Sequence, residues 1–447
     1  MEKKLPKGWV ESTLGEIANW GSGGTPSRSR SEYYNGDIPW IKTGDLNNSV
    51  IMEASEFITE LGLKNSSAKL FPKGSIGIAM YGATIGKTAF FGIDAATNQA
   101  CAVAQPSSAI VDKFLHNYLK SQKQNFIDQG KGGAQPNISQ TLIKAHPILL
   151  PPLPEQKRIV AKLDALFGHL DTLKTKLDHI PELLKNFRQQ VLVEAFKLES
   201  NRVLLESVCE KIQDGAHHSP QEQFDEKGEN QYLYITSKNI RNNYMNFAKV
   251  KYVSRDFHDS IYPRCNPEFG DVLLTKDGAN TGQVTLNELH EPFSLLSSVC
   301  LIKTRKDFLI PAYLKYYIQS PTGFQELIGQ MTGTAIKRII LRKIKKAEIP
   351  LPSLDDQKEI VSRIDHLFET ANRIESQYLS LKSKIDQLPQ AILNKAFKGE
   401  LVAQDPKDEP AAVLLERVKS ATEKIEYKVK KKSIKLAAEE KADYKTN

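Results

Sequence analysis

Two stretches of the chain carry the same hydrophobic pattern. After the proline-rich segments ILLPPLPEQ and IPLPSLDDQ, apolar residues recur at alternating steps of three and four. The first series runs Leu163, Leu166, Leu170, Leu173, Leu177, Ile180, Leu184, Phe187, Val191; the second runs Ile364, Leu367, Ala371, Ile374, Tyr378, Leu381, Ile385, Leu388, Ile392. Four unbroken heptads describe a narrow coiled-coil seam, not the broad stripe of a helix lying on a core. The pattern therefore predicts two long helices, 153–199 and 352–402, that pair with each other. Pro181 and Pro389 fall inside them and predict a kink or local unwinding in each. Ahead of each helix the periodicity changes: short apolar runs (IPWIKT, SIGIAM, ACAVAQ; YLYITS, DVLLTK, VCLIKT) alternate with Gly/Pro/Asn turns and read as strands.

The duplication extends to individual residues. LPEQKRIVAKLDALF (153–167) returns as LDDQKEIVSRIDHLF (354–368), with Gln156, Lys157, Ile159, Val160, Asp164, Leu166 and Phe167 each repeated 201 positions later. Fainter matches lie upstream: FLHNYLKSQ with YLKYYIQSP, GGAQPNI with GTAIKRI, and PKGSIGIAMYGATIGKTAF with EFGDVLLTKDGANTGQVTL. The expected architecture is α+β: two mixed α/β units in tandem, 1–152 and 200–351, each followed by a long α-helix. The helices pair as an antiparallel coiled coil with pseudo-two-fold symmetry, because parallel pairing would need a long return connection where 200–351 reads as folded. Residues 403–447 form a charged C-terminal tail, helical or simply solvated.

The stretch YGATIGKTAF resembles a phosphate-binding loop, but only three residues separate Gly82 from Gly86 where a Walker A loop needs four. Its counterpart replaces Lys87 and Thr88 by Gln283 and Val284 while keeping Gly278 and Gly282. What the copies share is a glycine-bearing turn between two strands.

The chain has 447 residues, a net charge of +8 and 26% charged residues, ordinary values for a globular protein with a mild basic excess. Six Lys and Arg crowd IKRIILRKIKK (336–346), which suits a nucleic-acid backbone or an exposed basic face equally. No apolar run is long enough to span a bilayer, and no apolar segment follows MEKKLPKGW to direct export, so the expected location is the cytoplasm. Four scattered cysteines without a C-x-x-C pair predict neither zinc site nor disulfide framework. Cys101 and Cys300 read as matching small core residues.

The order of these features resembles the specificity subunits of Type I restriction-modification systems. The resemblance rests on PPLPEQKRIV with PLPSLDDQKEIV, on AFKGELV, and on an N-terminal W-V-x-x-x-L-G-E-I followed by GSGGTPS and YYNGDIPWIKTGDL; it covers residues 5–402. It implies that each globular unit is a target-recognition domain reading half of a bipartite double-stranded DNA site, and that the helices set the gap. It further implies that two modification (methyltransferase) subunits dock around the helices, joined by restriction (motor-nuclease) subunits. S-adenosylmethionine, ATP and Mg would belong to those partners, leaving this chain without cofactor, metal or catalytic residue. The nearest approach to a methyltransferase N-P-P-[FY] motif is Asn266-Pro267-Glu268-Phe269, which reads as a turn instead.

Candidate DNA contacts in the first unit are Ser22, Thr25, Ser27, Arg28, Arg30, Lys42, Thr43, Asp45, Tyr81, Lys87, Gln135, Asn137 and, on the backbone side, Lys144. In the second they are Asp214, His217, His218, Thr236, Ser237, Lys238, Asn239, Lys276, Asp277 and Asn280, with Lys337, Arg338, Arg342 and Lys343 as backbone contacts. Arg and Lys suit guanine, Asn suits adenine, and hydroxyls suit phosphates. Helix pairing is assigned to Leu163, Leu166, Leu170, Leu173, Leu177, Leu184, Ile364, Leu367, Ile374, Leu381, Ile385 and Ile392. The competing reading is a coiled-coil scaffold whose globular ends bind proteins.

Overall fold

A computed structural model describes residues 5–47, 49–130, 136–197, 200–329 and 338–421. The chain divides into two compact units, 1–175 with 382–447, and 176–381.

In the first unit, Cys101–Pro106 lies antiparallel between Ala18–Ser22 and Ile76–Ala79 in a sheet that continues through Thr88–Phe91 to Val50–Ile51, which joins in parallel. A second sheet carries Glu56–Ile58, Tyr34–Ile41, Ala95–Thr97 and Leu70–Phe71. Period-two alternation sends Ala102 and Ala104 into one core with Ile76, Ile78, Phe114 and Leu119, while Cys101 and Val103 enter another with Ile41, Phe71 and Phe91. The second unit repeats the plan with Val299–Thr304 between Cys209–Asp214 and Val272–Thr275, and Val284–Leu286 at the edge. Cys101 pairs with Ala79, whereas Val299, not Cys300, pairs with the matching Thr275. The two cysteines are therefore one register step apart and face different cores, which corrects the expectation of matching positions.

Why PLPEQ and PSLDDQ recur is visible in hydrogen bonds. Gln156 is fully buried: its amide nitrogen donates to the carbonyls of Ala109 (3.1 Å) and Pro151 (3.0 Å), and its oxygen accepts from the Val111 N–H (2.8 Å). Gln357 repeats all three contacts with Phe308, Pro352 and Ile310. Each glutamine ties the first turn of the long helix to the loop that launches the helix packed on the sheet, Asp112–Ser121 or Pro311–Gln319. In the first unit Glu155 adds a buried contact, accepting from Trp9 Nε1 at 3.1 Å.

The long helices are Leu153–Asp178 with Ile180–Ala195, and Leu354–Ala396. The first is interrupted at His179, where Pro181 falls in the opening turn of the following segment and its missing N–H costs nothing; the second runs through Pro389. Within the first unit Leu163 packs with Leu393, Ala396 and Phe397, and Lys174 meets Asp386 at 3.4 Å. Within the second, Val191 and Leu192 pack with Ile364 and Phe368, and Arg188 reaches Glu375 (2.7 Å) and Asn372 (2.8 Å).

Only one heptad position is consistently buried. Leu163, Leu170, Leu177 and Leu184 are buried, as are Ile364 and Ile385; Leu166, Leu367 and Ile392 are half-buried. Leu173 (47% exposed), Ile374 and Leu381 face solvent, so their assignment to the seam is corrected: a helix touching a single neighbour covers a strip narrower than both apolar rows. Residues 411–421 form a further helix on the first unit, with Ala411 and Leu415 in its core and Lys419 2.7 Å from Glu16. The lysine-rich tail beyond lies outside the described residues.

His116, on Asp112–Ser121, is held low, at about 4 against an ordinary 6.5, because burial disfavours its cation, with Lys120 adding to the effect. The unfolded chain takes up this proton first. The first unit is accordingly expected to keep full stability above about pH 6.5 and to lose up to about 3 kcal/mol as pH falls to about 4. Urea titrations across that window should show His116→Gln with a flatter profile than the parent.

Candidate nucleic-acid interface

One construction appears in both units. In the first, Ile76–Ala79 and Thr88–Phe91 are joined by a turn in which Gly82 (φ 62°) and Gly86 (φ 74°) hold left-handed conformations. In the second, Val272–Thr275 and Val284–Leu286 are joined through Gly278 (φ 96°) and Gly282 (φ 94°). The residue before the first glycine makes an isolated antiparallel bridge: Tyr81 with Asn137, and Asp277 with Arg338. The backbone amides of Ile138 and Ile339 complete the correspondence by donating to the carbonyls of Met80 and Lys276. The shared element is thus a turn geometry that places two variable side chains next to each other.

In the first unit, two of the charged candidates, Arg28 and Lys42, meet at Glu56, which was not a candidate. Glu56 accepts from Lys42 Nζ (2.5 Å) and Arg28 Nη2 (2.8 Å), and these bonds, Lys42 first, hold its carboxyl below the usual range. The Arg28 guanidinium also lies over the rings of Tyr34 (4.5 Å) and Trp40 (5.2 Å), fixing an otherwise flexible cation. Thr25 donates to Gln99, Ser27 meets Ser29 at 2.8 Å, and Arg30 pairs with Glu32 at 3.3 Å; all three candidates are exposed. Ser22 ends a strand, Thr43 and Lys87 are half-buried, and Tyr81, Asn137 and Lys144 are exposed.

The second unit has a different charge pattern. Asp214 is buried and is met by Arg264 (2.8 Å), His217 (3.2 Å) and Lys276 (3.4 Å). Burial alone would push its carboxyl up, but Arg264, Lys276 and His217 outweigh it and the value falls. Lys276 also reaches Asp277 at 3.0 Å, and Asp277 contacts Arg338 Nε at 3.1 Å. In the first unit the positions of Asp214, Lys276, Asp277 and Arg338 hold Ser22, Met80, Tyr81 and Asn137, none of them an Asp, Glu, Lys or Arg. His218 packs edge-on against Phe257, Asn280 donates to the Ser237 carbonyl at 3.0 Å, and Lys238 and Arg342 are exposed, with Lys343 half-buried beside them.

Three candidates are corrected. Lys276 is 1% exposed and spends its ammonium on Asp214 and Asp277, so it has no reach to an outside ligand. Asn239 is buried; its side-chain oxygen accepts from the Thr236 N–H and hydroxyl, both at 3.0 Å, and its nitrogen donates to Asn246 O. Asp45 accepts from the Lys42 N–H at 2.8 Å in the matching turn. Both are turn-makers. Gln135 and Lys337 lie outside the described residues. Sequence reasoning missed Arg264 and Glu56, which sit far along the chain from the groups they hold.

The sequence profile of the Type I restriction modification DNA specificity domain matches residues 6–182 and again 199–381. The chain belongs to this family. It is similar to the specificity subunit of the Type I restriction enzyme EcoKI from Escherichia coli strain K12, 28% identical over 93% of this chain and 96% of that one. It is also similar to the MjaIX specificity subunit of Methanocaldococcus jannaschii, 24% identical over 90% and 95%. The fold matches the HsdS subunit from Thermoanaerobacter tengcongensis at a TM-score of 0.61, with 19% identity over 89% of this chain and 99% of that one. A chain from a structural study of assembly and conformational transition in the type I R-M system matches at 0.68, with 20% identity over 89% and 100%. The specificity family supplies a DNA-recognition component, not a catalytic one, on a mixed α/β fold with long helices. Among the described residues, no helix is long and apolar enough to cross a membrane.

Proposed function

We propose that this specificity subunit reads a bipartite duplex DNA site in the cytoplasm, one half per globular unit, with the helices fixing the gap. The observation that carries this reading is the repeated glycine turn, which offers Tyr81 and Asn137 in one unit and Asp277 and Arg338 in the other. An identical scaffold with unlike side chains is what an asymmetric site requires. The exposed amide of Asn137 and guanidinium of Arg338 are suited to base edges, and the exposed cations around them to phosphates.

The helices pair, in this reading, as an antiparallel coiled coil about a pseudo-dyad. Lys174 with Asp386 and Arg188 with Glu375 support it, since the partner number falls as the first rises. Two similar helices so related offer equivalent surfaces to two copies of one partner. The exposed apolar row of Leu173, Phe187, Ile374 and Leu381 suits such docking by modification subunits. S-adenosylmethionine, ATP and Mg would be bound by the modification and restriction subunits.

Salt dependence tests the reading. A subunit neutralising about six phosphates should lose affinity for its site with a log–log slope near −5. A slope near zero without a DNA footprint would favour the protein-binding scaffold. Sequencing methylated genomic DNA with and without the gene should reveal both half-sites and their gap.

A further inference from the structure

Resting on the DNA-reading function proposed above, we infer that Arg338 is a specificity-determining residue that reads a guanine in the half-site of the second unit, and that Asp277, Lys276 and Asp214 are its positioning residues. Lysine is among the residues least often buried, yet Lys276 is 1% exposed in a strand-end position where the first unit has an apolar methionine. A fold that accepts Met80 here does not need a cation for stability, and burying a charge costs free energy unless it is paired.

Its neighbours account for the placement. Arg264 and Lys276 both contact Asp214, at 2.8 and 3.4 Å; Lys276 reaches Asp277 at 3.0 Å; Asp277 reaches Arg338 Nε at 3.1 Å. Charges alternate along this row, which passes through the buried Asp214 and Lys276 and surfaces at both ends, at Arg264 (43% exposed) and at Arg338 (53% exposed). The Gly278 turn and the backbone bridge between Asp277 and Arg338 hold the last two members side by side. Asp277 Oδ1 lies 3.1 Å from Arg338 Nε as an ion pair, without the alignment of a hydrogen bond. Among the described residues no hydrogen bond takes Nη1 or Nη2, which leaves a planar pair of donors for a ligand. Two parallel N–H groups at that spacing match O6 and N7 of guanine in the major groove. A loose arginine would serve as a phosphate contact; one paired with a carboxylate that is itself hydrogen-bonded to a buried lysine is restricted in where its guanidinium lies, as base reading demands.

The experiment uses the full chain co-expressed with its modification subunit, with the methylated motif read by sequencing genomic DNA. The wild-type motif should contain a guanine in one half-site whose preference falls about tenfold or more in Arg338→Asn and Arg338→Lys, at that position alone. Asp277→Asn and Lys276→Met should relax the same position, and Lys276→Met, copying the first unit, guards against misfolding. An Arg342→Ala control should lower methylation at all sites alike. If the Arg338 variants weaken every site uniformly, or change nothing, or if neither half-site contains guanine, the inference is overturned while the bipartite reading stands. If the wild-type complex yields no bipartite motif, the function itself fails.

Discussion

Replacing Gln156 by Glu is expected to unfold the first unit near physiological temperature while leaving the second unit's transition in place. The amide donates to two buried carbonyls, Ala109 O and Pro151 O, and accepts from the Val111 N–H. A carboxylate keeps the acceptor but turns its second oxygen, which has no hydrogen to give, toward both carbonyls. Removing the amide altogether, as in Gln156→Ala, leaves three buried backbone groups unpaired and should cost about 3 kcal/mol or more. The glutamate should cost more, because an unpaired charge is buried as well. Gln357→Glu should act in the same way on the second unit. Differential scanning calorimetry reads the outcome: a Gln156→Glu trace that superimposes on wild type would remove the glutamine from the structural argument.

This staple was legible as a repeated letter before it was legible as chemistry. The glycine turns were readable in both aspects, since both glycines survive in each copy while Lys87 and Thr88 do not, and the structure gives all four positive φ angles. The polar residues of the loops were not. Asp45 and Asn239 have the composition of base-reading side chains, yet each closes its own turn by accepting a backbone N–H three residues earlier. The same oxygen can serve a turn or a ligand, and local sequence does not distinguish them. Lys276 failed for a different reason: it is buried, and one of its two acidic partners, Asp214, lies on another strand, a pairing that leaves no local trace. The seam was half legible. Heptad spacing identified the helices, but burial of one row and exposure of the other depend on how many neighbours cover each helix, which the period alone does not contain.

The second large effect concerns distance. If paired helices set the gap between half-sites, adding one heptad to each, after Leu177 and after Lys382, should lengthen the helical spacer by about 10 Å. The selected DNA spacer should then grow by about three base pairs at ~3.4 Å each. Seven residues nearly preserve the helix face, with a drift of about 20°, so the buried row of Leu163, Leu170 and Leu177 stays aligned with its neighbour. DNA is less accommodating: three base pairs turn the second half-site by roughly 100° about the duplex axis. The lengthened subunit must follow that rotation by twisting at the His179 break or by distorting the duplex, so the new site should be bound more weakly than the old. Lengthening one helix alone shifts one apolar row past the other and should abolish modification at any spacing. Methylation sequencing of the three strains separates these outcomes. An unchanged gap in the doubly lengthened protein would show that something other than the helices measures it.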